Sequence, residues 1–60
     1  MNKITQGDLV KVVRSYYFQQ KIGDICLILE YRQYQCEYVL YNFRTKAITI
    51  SMDRFLEKIS

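Results

Sequence analysis

The hydrophobic positions of this chain fall into five short runs divided by polar and glycine-bearing breaks. The first, Leu9-Val10-Lys11-Val12-Val13, follows Gly7-Asp8, and the second, Ile25-Cys26-Leu27-Ile28-Leu29, follows Gly23-Asp24. Glycine supplies a positive φ and aspartate tolerates a turn, so each Gly-Asp pair reads as a turn and the run after it as a strand. Strands are predicted over 8–14 and 24–31. The third run, 36–43, sets Tyr38, Leu40 and Asn42 against Val39, Tyr41 and Phe43. The fourth, 46–51, sets Ala47, Thr49 and Ser51 against Lys46, Ile48 and Ile50. A period of two is that of a strand. A tight turn at Arg44-Thr45 is expected between them, although neither residue favours the positive φ of two-residue hairpins.

The last run is ambiguous. Met52, Phe55, Leu56 and Ile59 stand at helical spacing. Eight residues make a weak helix, however, so a single helical turn leading into a closing strand over 56–59 is the expectation, with a short helix as the competitor. Five short strands in 60 residues, with a long first connection and tight later ones, outline one all-β domain over 1–60, a small closed barrel. Closure removes the sheet edges that would pair with other chains, and the bending it demands accounts for strands one and two being apolar on both faces. The two Gly-Asp openings diverge at once and are read as two strand starts, with no internal repeat.

Composition makes a core available. A chain of this length buries only about 60% of its unfolded surface, but half of its residues are apolar and six are tyrosines. The longest apolar run, 25–29, is far too short to span a bilayer, and the opening residues carry no apolar leader. Cytoplasmic location, or residence in a larger assembly such as a virion or peripheral complex, is the expectation. Cys26 and Cys36 are expected as free thiols there, a disulfide between them being the minor alternative. The net charge of +3 comes from scattered cations with no basic run.

Catalytic equipment is missing from the sequence. There is no histidine, which removes the commonest general base and the commonest neutral metal ligand. Two cysteines without a second pair do not make a structural zinc site. Ser15, Ser51 and Ser60 have no histidine to activate them, and no phosphate-cradling glycine loop is present. The expectation is a protein that is not an enzyme, with no metal and no cofactor.

Gly7-Asp8-Leu9-Val10-Lys11-Val12, Ile22-Gly23-Asp24-Ile25, Tyr38-Val39-Leu40-Tyr41-Asn42-Phe43 and Phe55-Leu56-Glu57-Lys58-Ile59 together resemble the small SH3-like barrels with a KOW-type beginning. Cys26 stands where the second glycine of that pattern often sits. Within this class the opening Gly-Asp-Leu-Val and the closing Leu-Glu-Lys-Ile are similar to the tiny barrels encoded by tailed bacteriophages. Arg14-Ser15-Tyr16-Tyr17-Phe18, followed by Ile22-Gly23, more weakly resembles a loop of the photosystem I E-subunit type. The resemblance implies a five-stranded SH3-like barrel with one short helical turn before the last strand, and an accessory or structural role.

Two aromatic clusters are the candidate contact residues. Tyr16, Tyr17 and Phe18 lie in the long first connection, and loops carry function disproportionately. Tyr31 and Tyr34 flank Arg32 at a hairpin tip, where they either stack on a partner or fold back on their own sheet. A third set, Lys11, Arg14, Arg44 and Lys46, with Arg54, would form a weak positive face if strands one, three and four were neighbours. The leading expectation is a non-catalytic protein-interaction or assembly module, such as a phage accessory protein or a peripheral subunit. Its partner would be another protein, with a homodimer as a further option and no membrane insertion. The alternative is a KOW-type nucleic-acid-binding barrel, using that basic set on phosphates.

Overall fold

Both Gly-Asp segments fold as the same four-residue turn. Asp8 N–H donates to Thr5 O (3.1 Å) and Asp24 N–H to Lys21 O (3.0 Å). Gly7 (φ 90°) and Gly23 (φ 99°) occupy the third position, where a type II turn requires a positive φ. In return, Oδ2 of each aspartate accepts the N–H of the first turn residue, Thr5 at 2.8 Å and Lys21 at 2.9 Å. Each turn delivers the chain straight into a strand.

The computed structural model describes residues 3–15 and 20–60. Its elements are β1 (Leu9–Val12), β2 (Ile25–Arg32), β3 (Glu37–Asn42), β4 (Ala47–Ser51), a 3-10 turn (Asp53–Phe55) and β5 (Leu56–Lys58). The five strands form one antiparallel sheet in the order β4-β3-β2-β1-β5. The sheet is open, with β4 and β5 as its edge strands. The all-β class, the five strands and the helical turn before the last strand match the sequence reading. The competing helix does not form, because Leu56 to Lys58 pair with β1.

Val10, Val12, Cys26, Ile28, Tyr38 and Leu40 line the inward face and pack with Ile4 and Leu56. Three contacts draw other segments onto this core. Tyr38 Oη donates to Ile4 O (3.1 Å). Phe55, itself buried, accepts the N–H groups of Val13 (2.8 Å) and Arg14 (3.3 Å) at its carbonyl. Gln20, also buried, donates from Nε2 to Ile50 O (2.7 Å) and Thr49 Oγ1 (3.2 Å). That last contact ties the segment entering β2 to the far edge strand. Between Ile28 and Glu30 the β2–β3 register shifts, leaving Leu29 as the extra residue of a bulge, which bends and twists the strand.

The hairpins depart from the expected turn. The β3–β4 connection spans four residues, 43–46, not two, and the left-handed conformation falls on Lys46 (φ 58°). The β-branched Thr45 is thereby spared a strained backbone. Fully buried Asn42 closes the loop, its Oδ1 accepting from the N–H groups of Arg44 (2.8 Å) and Thr45 (3.3 Å). The β2–β3 tip is likewise four residues long, with Cys36 left-handed at φ 54°. β1 ends at Val12 and not at residue 14, since the next two N–H groups turn to Phe55. β2 separates β1 from β3 and β4, so the premise for a positive face shared by strands one, three and four is not met.

Candidate functional site

Alternation in β2, β3 and β4 leaves a second apolar face pointing away from the core. The pairing register aligns Ile48 with Tyr41, Tyr41 with Leu27, and Leu27 with Leu9, one row across four strands. Ile50 stands beside Val39 in the next row. On the other side, Phe43 meets β2 through its N–H bond to Ile25 O (3.1 Å). The Phe43 ring packs edge-on against Tyr41, with centroids 5.1 Å apart. Ile48 is 66% exposed and Phe43 47%, while Ile25 and Ile50 are also open. Antiparallel sheets that face water on one side usually place polar residues there. Here the outward positions along the middle of three adjacent strands are isoleucine, leucine, valine, tyrosine and phenylalanine, with Glu30 opposite Val39 on β2 and the Arg32–Glu37 row beyond it.

The strand-four pattern explains how this arises. Thr49 and Ser51 face inward, towards Gln20 and the core, and the two isoleucines face out. The register leaves no choice: Thr49 is opposite buried Leu40, which puts Ile48 opposite outward Tyr41. Charges flank the strip, with Glu30 directly opposite Val39 and Lys11 opposite Ile25. Glu30 and Glu37 share Arg32 (3.5 and 3.7 Å) at one end, and the Lys11–Glu57 pair (3.7 Å) and the loop carrying Lys46 lie at the other.

The sequence-derived contact residues are dispersed. Tyr16, Tyr17 and Phe18 lie outside the described residues. Tyr31 leans against Tyr38, their ring centroids 4.8 Å apart, on the inward side of the sheet, while remaining 48% exposed. Tyr34 stands 96% exposed at the hairpin tip. Among the proposed phosphate contacts, Lys11 is paired with Glu57 and Arg44 with Asp24 (2.7 Å), while Arg14 and Lys46 are exposed. The outer face escaped the sequence reading, although the alternation of Ile48 and Ile50 against Thr49 and Ser51 is its signature.

Beside this face sits a buried polar network. Asp24 accepts from Lys21 N–H, from Asn42 Nδ2 (2.8 Å) and from two Arg44 nitrogens (2.7 and 3.0 Å). The Arg44 guanidinium, aided by Asn42 and the Lys21 N–H, holds the Asp24 carboxyl down at about 2 despite burial. The arrangement is a satisfied ion pair that locks the β2 entry to the β3–β4 loop. Burial pushes the neighbouring Cys26 thiol up to about 11, which leaves it protonated and inert at neutral pH. Cys26 and the exposed Cys36 are both free thiols. Among the described residues, no group of three or more Cys, Asp or Glu side chains gathers to hold a metal ion, and no helix is long and apolar enough to cross a membrane.

No family model, curated protein or solved structure matches the chain.

Proposed function

We propose that this protein is a non-catalytic protein-interaction module that docks its partner on the outer face of β2, β3 and β4. The observation that carries this reading is the continuous apolar strip Ile25, Leu27, Val39, Tyr41, Phe43, Ile48 and Ile50, flanked by the paired charges Glu30 and Lys11. Its open apolar surface is on the order of 500 Å², a size at which patches on small proteins mark interaction sites. Aromatic and aliphatic anchors flanked by polar ends are also the usual anatomy of an interface centre and rim. The fold would be the SH3-like barrel. The bulge at Leu29 and the Gln20 bridge to β4 favour such a curl, since both bend the open sheet around one core. The role would be assembly within a larger complex. The nucleic-acid alternative is the less favoured reading, because Lys11 and Arg44 are each committed to a carboxylate.

Ile48 tests the docking face because it is the most open residue of the strip and contributes little to the core. A tagged wild-type chain used as bait in extract of its source cells is expected to retain a partner protein. The Ile48→Glu variant, folded by circular dichroism, is expected to lose it by at least about tenfold, the effect of burying one unpaired charge in an interface. Equal retention by both baits would exclude this face.

A further inference from the structure

We propose that the occupant of the outer face is a second copy of this chain, packed face to face about a two-fold axis. The inference rests on the reading of that face as a docking surface and names its partner. Three features favour self-pairing.

The first is area. With Ile48 66%, Phe43 47%, Ile50 39% and Ile25 36% exposed, two such faces in contact would remove roughly 1,000 Å² from water. That reaches the lower bound for a specific interface. The second is composition. The strip itself presents only apolar and aromatic groups, and the charge beside it, Glu30 opposite Val39, is paired with Arg32 at 3.5 Å, so two copies would bury no unpaired charge, which is the main penalty in a mismatched interface.

The third is the placement of charge. At one end Glu30 and Glu37 share the single cation Arg32, leaving an excess of negative charge. At the other lies the β3–β4 loop with Lys46, which has no ion pair among the described residues. A two-fold axis perpendicular to the strands sets each end against the opposite end of the other copy, and an isologous interface requires such self-complementarity.

The edges of the sheet are less suited to this pairing. On β4 the Gln20 side chain already occupies Ile50 O, and β5 offers only three residues. Packing of sheet on sheet, with inner side chains interdigitating about 10 Å apart, is therefore the geometry expected.

Sedimentation equilibrium of the purified chain provides the test, run from about 1 to 500 µM, the range in which a small interface should half-associate. The weight-average mass of the wild type is expected to climb from 7.3 kDa towards twice that value. Ile48→Glu and, independently, Ile50→Lys are expected to stay at the mass of one chain, and Tyr34→Ala, remote at the hairpin tip, to behave as wild type. A wild type that stays at 7.3 kDa throughout would overturn the self-pairing. So would a dimer untouched by both isoleucine variants. In either case the docking reading is judged separately, by whether Ile48→Glu loses a different protein in the capture experiment.

Discussion

Leu40→Ala is expected to lower stability by about 3 kcal/mol, within the range for truncating a buried leucine. Leu40 is fully buried on β3, directly between Ile28 of β2 and Thr49 of β4. No neighbouring loop can collapse into the space its side chain leaves, because paired strands flank it on both sides. A core of this size rarely supplies more than about 3–5 kcal/mol in total, so the variant should be largely unfolded near physiological temperature. Chemical denaturation at low temperature would measure the difference. Leu40→Met, which conserves volume, should cost less than about 1.5 kcal/mol. A loss below about 1 kcal/mol for the alanine variant would mean that the sheet does not pack as described.

Asp24→Ala is the second large effect, expected at about 3 kcal/mol. The substitution removes the acceptor for Lys21 N–H, strands the fully buried Asn42 amide and leaves Arg44 without its carboxylate. The pH dependence has a definite sign. The Asp24 carboxyl is depressed from 3.8 to about 2 in the folded protein, so its contribution is complete above pH 4 and is lost as pH falls towards 2. That contribution is about 2 kcal/mol from the linkage relation. Wild-type stability should therefore fall across this window more steeply than that of Asp24→Ala. The variant will retain some slope, because the Asp8 carboxyl is also held below its ordinary value, chiefly by the Thr5 N–H. Parallel curves for the two proteins between pH 4 and 2 would contradict the network.

Much of the fold is legible in local chemistry. The Gly-Asp turns announce β1 and β2 because only glycine occupies the third turn position at no strain and only a short carboxylate reaches back to the first N–H. Strict alternation in 36–43 and 46–51 identifies β3 and β4. The four-residue loops are harder to see, since the left-handed positions fall on Lys46 and Cys36, residues with no preference for them. The β3–β4 loop is fixed instead by Asn42, whose side chain replaces a backbone partner for Arg44 and Thr45. The long-range pairing of β1 with β2 and β5 depends on register across the whole sheet, which local pattern does not carry.

The candidate site was less legible for a physical reason. Alternation states that Ile48 and Ile50 share a face, not which face is covered. Deciding that needs the opposite residue on β3, and the answer, Leu40 inward against Thr49, comes from hairpin length. Tyr31 shows a mixed case: an aromatic near a hairpin tip that leans on its own sheet through Tyr38 and still leaves about half of its surface open. The cations were similarly ambiguous, since Lys11 and Arg44 find carboxylates far away in sequence.

The outer face of β2, β3 and β4, as the proposed contact surface, is open to a direct test. Its most direct measurement is a methyl-resolved NMR spectrum of isoleucine-labelled protein, recorded dilute and alone and then in the associated state. The seven isoleucines sample every relevant location. The methyls of Ile25, Ile48 and Ile50 are expected to shift or broaden. Those of core Ile4 and Ile28 and of turn residue Ile22, which is exposed but off the strip, should hold their positions. Unmoved signals from Ile48 and Ile50 while Ile22 or other residues respond would contradict it.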